Sequence, residues 1–173
     1  AAELVCARGA AMSTLEKAGV GGMVAIRASA QVVQDALRGA HCFETGDVQI
    51  AADNSNMGCP VSGTDAALEA ELTLPEKYKT QRHEVITGFH SICVEPCLPA
   101  IRRAALKLPL QPLSNDCSLY STLFAERLES PPDANYWCAQ ARGEVKFAGA
   151  VRAMLSQQRS TPLLVIEIGP SPH

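Results

Sequence analysis

The sequence contains no G-x-S-x-G segment, so the commonest sequence address of an activated serine is missing. It contains no C-x-x-C pair, which removes the usual spacing of a zinc or dithiol site. No apolar run approaches the roughly 18–20 residues that a membrane span needs. No basic run stands out either. With a net charge of −3 over 173 residues and a pI near 5.8, nothing is arranged to neutralise nucleic-acid phosphates. Neither nucleic acid nor membrane is an expected partner. The opening stretch AAELVCARGAAM has no basic flank before an apolar segment, so it does not read as a signal peptide. It lacks an initiating methionine, and EIGPSPH stops directly after a strand-like run; both ends are expected to be cuts. There are no repeats and no low-complexity tracts.

What is present suffices for a core. The chain is 47% hydrophobic and 19% charged, which fits one domain, or one domain with a subdomain inserted in it. Seven cysteines occur, Cys6, Cys42, Cys59, Cys93, Cys97, Cys117 and Cys138. Their odd number and wide spacing read as reduced, mostly buried thiols of a cytoplasmic protein. His90, Cys93 and Cys97 can be drawn as a metal set, but no fourth ligand is evident and Pro96 interrupts the run.

The hydrophobic pattern predicts a helix over residues 2–17, with Leu4, Arg8, Ala11, Met12 and Leu15 on one face. Gly22 to Arg27 reads as a strand, and Ser29 as the N-cap of a helix through Leu37. Val48 to Ala52 and Cys59 to Ser62 read as strands separated by a turn. Thr64 caps a short helix through Leu72, and Arg82 to Thr87 reads as a fourth strand. The order β-α-β-β-α-β over residues 22–87 is the ferredoxin-like plan. Beyond it the pattern changes. A helix is expected over 96–107 with Leu98, Ile101, Ala105 and Leu106 inward. Leu108 to Ser114 reads as partly strand-like, and a helix follows Phe147. Leu163 to Ile168 is a continuous apolar run of the kind found in buried parallel strands. The fold class is thus α/β, with residues 1–19 and 89–173 forming one layer and residues 20–88 inserted as a ferredoxin-like subdomain.

Two residues carry chemistry. His90 lies in T-G-F-H-S, where an apolar strand ends in a glycine-containing turn. That is a common address for a general base, yet no nucleophile for it is evident. Ser91 is no substitute, because a neighbour along the backbone points away from the imidazole. Arg8 sits in the middle of an apolar helical stripe. Such a charge cannot be relieved by deprotonation and needs a partner. An internal salt bridge, a side chain reaching water from the helix edge and a bidentate fork around a ligand carboxylate all satisfy that need.

Six segments, in order, carry a resemblance. LVCARGAAM resembles a helix whose arginine binds an extender carboxylate, and GGMVAI the first strand of a small subdomain. AADNSNMGCPVSG resembles A-x-x-N-S-P-x-x-x-V-S-G, and GFHS resembles A-F-H-S. YWCAQARGEVKF resembles Y-W-x-x-x-x-R-x-P-V-x-F, and VIEIGP the E-I/V-G-P strand end. Together the chain resembles the acyltransferase domain of polyketide and fatty acid synthases, the malonyl-CoA:acyl-carrier-protein transacylase family, over nearly its whole length. The Y-W-x-x-x-x-R and S-G features lean toward the polyketide side.

The resemblance implies an α/β-hydrolase-like large subdomain, here partial, carrying the ferredoxin-like insertion. It implies transfer of a malonyl unit from malonyl-CoA, through a serine acyl-enzyme, to the phosphopantetheine thiol of an acyl carrier protein. No cofactor is expected on the domain itself, and a ketosynthase is an expected neighbour. His90 matches the base that activates the serine, Arg8 the residue that pairs with the malonyl carboxylate, and Asn54 an asparagine near the pocket. A turn-forming role explains Asn54 equally well. Phe89 matches the position that distinguishes extender units; a phenylalanine there resembles malonyl-selective members, because it crowds an α-methyl branch. The family's G-H-S-x-G elbow would precede Ala1. The chain is therefore expected to be a fragment, inactive alone, with an apolar face exposed along Leu163–Ile168. Thr87-Gly88 replaces the frequent His-Ala, Asn56 replaces a proline, and Glu144 replaces the proline of P-V-x-F. A non-catalytic relic or docking module is the alternative, and an unrelated thiol or metal protein a more distant one.

Overall fold

The computed structural model describes residues 2–55, 57–71, 80–82, 87–114, 116–157 and 162–166. A helix, α1 (Ala2–Ala18), opens the chain. Leu4 and Leu15 are buried on it, and Ala7, Ala11 and Met12 pack beside them. Gly19 (φ 62°) and Gly21 (φ 74°) then turn the backbone through left-handed conformations that end the helix.

Four strands follow: β1 (Gly22–Ile26), β2 (Val48–Ile50), β3 (Cys59–Gly63) and β4 (Thr80–Arg82). They form one sheet in the order β2-β3-β1-β4, with every neighbouring pair antiparallel. With α2 (Ala30–Leu37) and α4 (Asp65–Glu71) as crossovers, this is the expected ferredoxin-like connectivity. Both helix starts are capped as the sequence indicates. Ser29 Oγ accepts from the Val32 amide, and Thr64 Oγ1 from the Ala67 amide, each satisfying an otherwise unpaired first-turn donor. A further short helix, α3 (His41–Thr45), was not foreseen. Val24, Ile26, Val48, Val61, Val33, Leu37 and Leu68 close the core between sheet and helices.

The second core lies beneath α1. A 3-10 segment (Ile92–Cys97) leads into α5 (Leu98–Ala105), which packs against both α1 and α6 (Ala134–Arg142). Val94, Ile101, Ala104, Ala105, Cys138 and Ala141 fill that space. Asp133 caps α6 through the Tyr136 amide at 2.8 Å. A small hairpin, β5 (Tyr120–Ser121) with β6 (Glu126–Arg127), and the last helix, α7 (Phe147–Ser156), complete the described elements.

Several expectations are corrected. Leu106 is 69% exposed rather than inward; α5 ends at Ala105, and a residue five positions after Ile101 points well off the buried stripe. Leu108–Ser114 forms no strand, because its prolines withhold ladder donors. Of the fourth strand, the described part is Thr80–Arg82, positions 83–86 lie outside the described residues, and Thr87 sits in a bend. The bend is closed by the Phe89 amide on the Thr87 carbonyl at 2.9 Å. Leu163–Ile166 is exposed, Leu164 by 82%, as expected of this fragment, and the buried parallel strand that its composition suggests is not formed among the described residues. A buried parallel strand needs neighbours on both sides, and no described segment provides one; Glu167 and Ile168 lie outside the described residues. Leu72, the expected end of α4, also lies outside them.

Candidate active site

The two cores meet at His90. After β2 the chain leaves its sheet and pairs in parallel with the segment following α6. Val145 donates to Ala51 O at 2.9 Å, Asp53 donates to Val145 O at 2.8 Å, and Ala148 donates to Asp53 O at 3.0 Å. This seam fixes the C-terminal end of α6 against the small sheet. The turn carrying His90 is anchored from the other side, where Gly88 N donates to Val20 O at 3.0 Å.

His90 adopts φ 55°, a left-handed conformation. For a residue other than glycine that costs on the order of 1 kcal/mol and must be held by its surroundings. Its Nδ1 lies 2.9 Å from the carbonyl oxygen of Gly143. A carbonyl only accepts, so Nδ1 carries the proton and Nε2 keeps a free lone pair. That is the tautomer a general base requires. Burial lowers the His90 pKa from its ordinary 6.5; the Gly143 bond acts upward, the Arg8 charge downward and the Gln140 backbone upward. The depressed value keeps the imidazole neutral and able to accept a proton at pH 7.

Arg8 is half-buried, and burial lowers its pKa. It makes no hydrogen bond or ion pair with any described residue. The internal salt bridge allowed by the sequence is thus not formed among the described residues, and the guanidinium remains available to a ligand. Its charge reaches the imidazole of His90. Arg8 also lines a cleft of about 400 Å³ with Leu4, Val5, Leu108, Leu110 and Trp137; His90 is not among that cleft's walls. Phe89 is partly buried and packs against the core beneath α1. Asn54 is exposed and makes no hydrogen bond with a described residue, so the structure does not join it to the other three.

Ser91 is fully buried and committed. Its hydroxyl donates to Gly88 O at 2.5 Å and accepts from the Cys93 amide at 3.2 Å. It caps the 3-10 segment and cannot serve as a nucleophile. Cys97 Sγ points to Ala11 O at 3.1 Å, away from any shared centre with His90 and Cys93. Among the described residues no group of three or more His, Cys, Asp or Glu side chains is placed to hold a metal ion. No described helix is long and apolar enough to cross a membrane. No disulfide joins the described cysteines; Cys6 and Cys117 are exposed and the others buried.

Sequence reasoning missed the parts that hold His90 in place. Gly143 acts through its carbonyl, which no side-chain pattern announces. Gln49 donates to His90 O at 2.7 Å, and its Oε1 accepts from Arg142 Nη1. Arg142 Nε also pairs with Glu95 at 3.2 Å. The one available signal for Gln49 was a polar residue inside the apolar alternation of Val48-Gln49-Ile50.

No protein-family model matches the chain. Among curated proteins it is 32% identical over 173 residues to the reducing polyketide synthase PKS1 of Cochliobolus heterostrophus, covering 95% of this chain and 7% of that protein. It is 34% identical over 178 residues to the polyketide synthase GfsB of Streptomyces halstedii, covering 99% of this chain and 3% of that one. Among solved structures, the acyltransferase domain from the second module of the salinomycin polyketide synthase superposes with a TM-score of 0.73 at 34% identity, over 90% of this chain and 35% of that one. MCAT from Streptococcus pneumoniae shares the fold, with a TM-score of 0.76 at 22% identity over 88% of this chain and 50% of that one. The chain therefore spans a small part of the curated relatives and a third to a half of these solved chains. Over about nine-tenths of its length the chain is thus similar in sequence and fold to an acyltransferase domain of a polyketide synthase, and its curated relatives are polyketide synthases.

Proposed function

We propose that these residues are the part of a malonyl-type acyltransferase domain that carries the general base and the carboxylate clamp. In this reading residues 20–88 are the small subdomain, and 1–19 with 89–173 belong to the large one. The nucleophilic serine is supplied by a segment outside the 173 residues, so the fragment alone is inactive. His90 Nε2 takes the serine proton as the oxygen attacks the thioester carbonyl of malonyl-CoA. As the C–S bond breaks, the same nitrogen returns the proton to the departing coenzyme A thiolate. The second half-reaction runs in reverse order. Nε2 takes the proton of the carrier protein's phosphopantetheine thiol, sulfur attacks the acyl-serine, and the serine oxygen leaves with that proton. Arg8 holds the free malonyl carboxylate throughout, Phe89 crowds a branched extender unit, and Asn54 borders the pocket. The domain uses malonyl-CoA and the carrier's phosphopantetheine, holds no cofactor of its own, and works beside a ketosynthase in the cytoplasm.

The observation that carries this reading is the His90 Nδ1 contact with Gly143 O at 2.9 Å, which leaves Nε2 free while Arg8 stands near enough to act on the ring. The test is loading of radiolabelled malonyl from malonyl-CoA by the acyltransferase domain that contains this segment. Loading is expected in the unaltered domain, and His90→Ala is expected to abolish it. Unimpaired loading by His90→Ala refutes the base assignment. A folded, unaltered domain that never loads identifies a relic.

A further inference from the structure

We propose that Gln49 is a positioning residue for His90, acting through its carboxamide on both halves of the imidazole hydrogen bond. The inference rests on the reading of His90 as the base.

Gln49 lies at the centre of β2. Strand alternation puts Val48 and Ile50 in the core against the helices and turns Gln49 to the opposite face of the sheet. There it stands directly across from Ser62 of β3. Both side chains grip the main chain of the His90 turn. Ser62 Oγ donates to Phe89 O at 2.6 Å, and Gln49 Nε2 donates to His90 O at 2.7 Å. Consecutive carbonyls are thus fixed by one cross-strand pair. This grip answers the need raised by the left-handed backbone at His90, which no glycine relieves.

The same amide group reaches the other side. Gln49 Nε2 also lies 3.4 Å from Arg142 O, one residue before the Gly143 carbonyl that accepts from the imidazole. A single carboxamide therefore ties the residue that carries the ring to the peptide segment that orients it. Its direction is not ambiguous. Oε1 faces the Arg142 guanidinium, a group with donors only, so the NH₂ must face the two carbonyls. Arg142 is held in turn by Glu95 at 3.2 Å. The contacts span 41 and 93 residues of sequence and couple the sheet, the His90 turn and the end of α6.

The role predicts a loss in kcat rather than in KM, because Gln49 touches protein groups and not substrate in this reading. A misplaced ring costs on the order of 10- to 100-fold. The experiment uses the acyltransferase domain that contains this segment, with malonyl-CoA as substrate. Gln49→Met keeps side-chain length and removes every donor. Gln49→Glu keeps the pairing with Arg142 but offers acceptors only to the two carbonyls. Both are expected to lower kcat about 10-fold or more, with KM for malonyl-CoA within about twofold of the unaltered domain. A sharp His90 Nδ1–H proton resonance is expected in the unaltered domain, and it should broaden or shift in both variants.

Unchanged kcat in either folded variant overturns the proposal, and so does an unchanged Nδ1–H resonance. A kcat loss matched by an equal loss for His90-independent thioester binding also overturns it, since that pattern marks general unfolding. If His90→Ala loads malonyl normally, the base reading and this role fall together. If His90→Ala is inactive while Gln49→Met is fully active, only the positioning role falls.

Discussion

Arg8 gives the sharpest test of the site, because its removal separates binding of a carboxylate from every other step. The guanidinium is half-buried without a hydrogen bond or ion pair to any described residue. It has lost part of its hydration and gained no fixed partner among the described residues, and in the proposed reading a malonyl carboxylate completes it. A hydrogen bond to a charged group contributes about 1.5–3 kcal/mol. At about 1.4 kcal/mol per tenfold change, Arg8→Ala should lower kcat/KM for malonyl-CoA by roughly 10- to 150-fold. Acetyl-CoA lacks the carboxylate, and its transfer should stay within about threefold by the same reasoning. Arg8→Lys should fall between the two, since it keeps the charge and loses the planar fork. The melting temperature should not fall, because no described acid is orphaned and a buried-charge cost disappears. Alanine is also the better helix former at a position inside α1. The assay is a competition between malonyl- and acetyl-CoA, with a thermal melt of each variant. Equal loss of both substrates refutes the clamp. A marked fall in melting temperature instead makes Arg8 a structural residue.

The pH dependence follows from His90, whose pKa lies below its ordinary 6.5 through burial, with Arg8 adding to the fall. The acid limb of kcat/KM for acetyl-CoA should therefore lie below pH 6.5 and move up in Arg8→Gln; a limb above 6.5 in the unaltered domain contradicts the buried neutral base. The sign for stability is the same, since the folded state holds the proton less tightly. The His90 contribution is complete above 6.5 and lost as pH falls through the folded value, which urea titrations at several pH values will read. Phe89→Ser should raise the ratio of methylmalonyl to malonyl transfer by roughly 10- to 200-fold, the usual worth of room for one carbon. It should also cost some stability, because the ring packs on the core beneath α1; an unchanged ratio removes Phe89 as the selector. Gly88→Ala should destabilise by about 1–3 kcal/mol, since its Cβ would lie 2.9 Å from Cys93 Sγ, Gly63 O and Ser91 Oγ. A urea midpoint equal to that of the unaltered chain counts against this packing.

Local rules carried much of the fold. Ser29 and Thr64 announced their helices because a capping side chain and the amide it serves are three residues apart. The strands of the small sheet showed as apolar alternation, which exists only because one face is buried. The exposure of Leu163–Ile166 was legible too, because its composition is strand-like and no described strand neighbours it. What failed was set by distant partners. Leu108–Ser114 alternates apolar residues with prolines, and became cleft wall instead. Asp133 is a legible N-cap for α6, its side chain three residues before the amide it serves. At the site the contrast is sharper. His90 and Arg8 were legible because a basic or ionisable side chain in an apolar setting demands a reason. Gly143 was not, since an acceptor carbonyl 53 residues away leaves no mark in the sequence.

The departure at Thr87-Gly88 also changes meaning once the packing is known. Read as a motif, it weakens the likeness to members with His-Ala before Phe-His. In the structure, Gly88 sits where Cys93, Gly63 and Ser91 leave no room for a methyl group, and Gly21 meets Gly63 and Cys93 at the same junction. Three glycines and a cysteine thus let the end of β3, the end of α1 and the His90 turn approach one another. Thr87 is fully buried, and its hydroxyl has no hydrogen-bond partner among the described residues. Neither residue touches the imidazole through a described contact. Burial lowers its pKa most, and the groups that act on it beyond burial, Gly143, Arg8 and the Gln140 backbone, come from elsewhere in the chain. Glycine at 88 therefore answers local crowding, and the tautomer of His90 is set by the Gly143 carbonyl rather than by residues 87–88. It follows that the extender-unit argument rests on Phe89 alone, whose side chain packs on the core beneath α1.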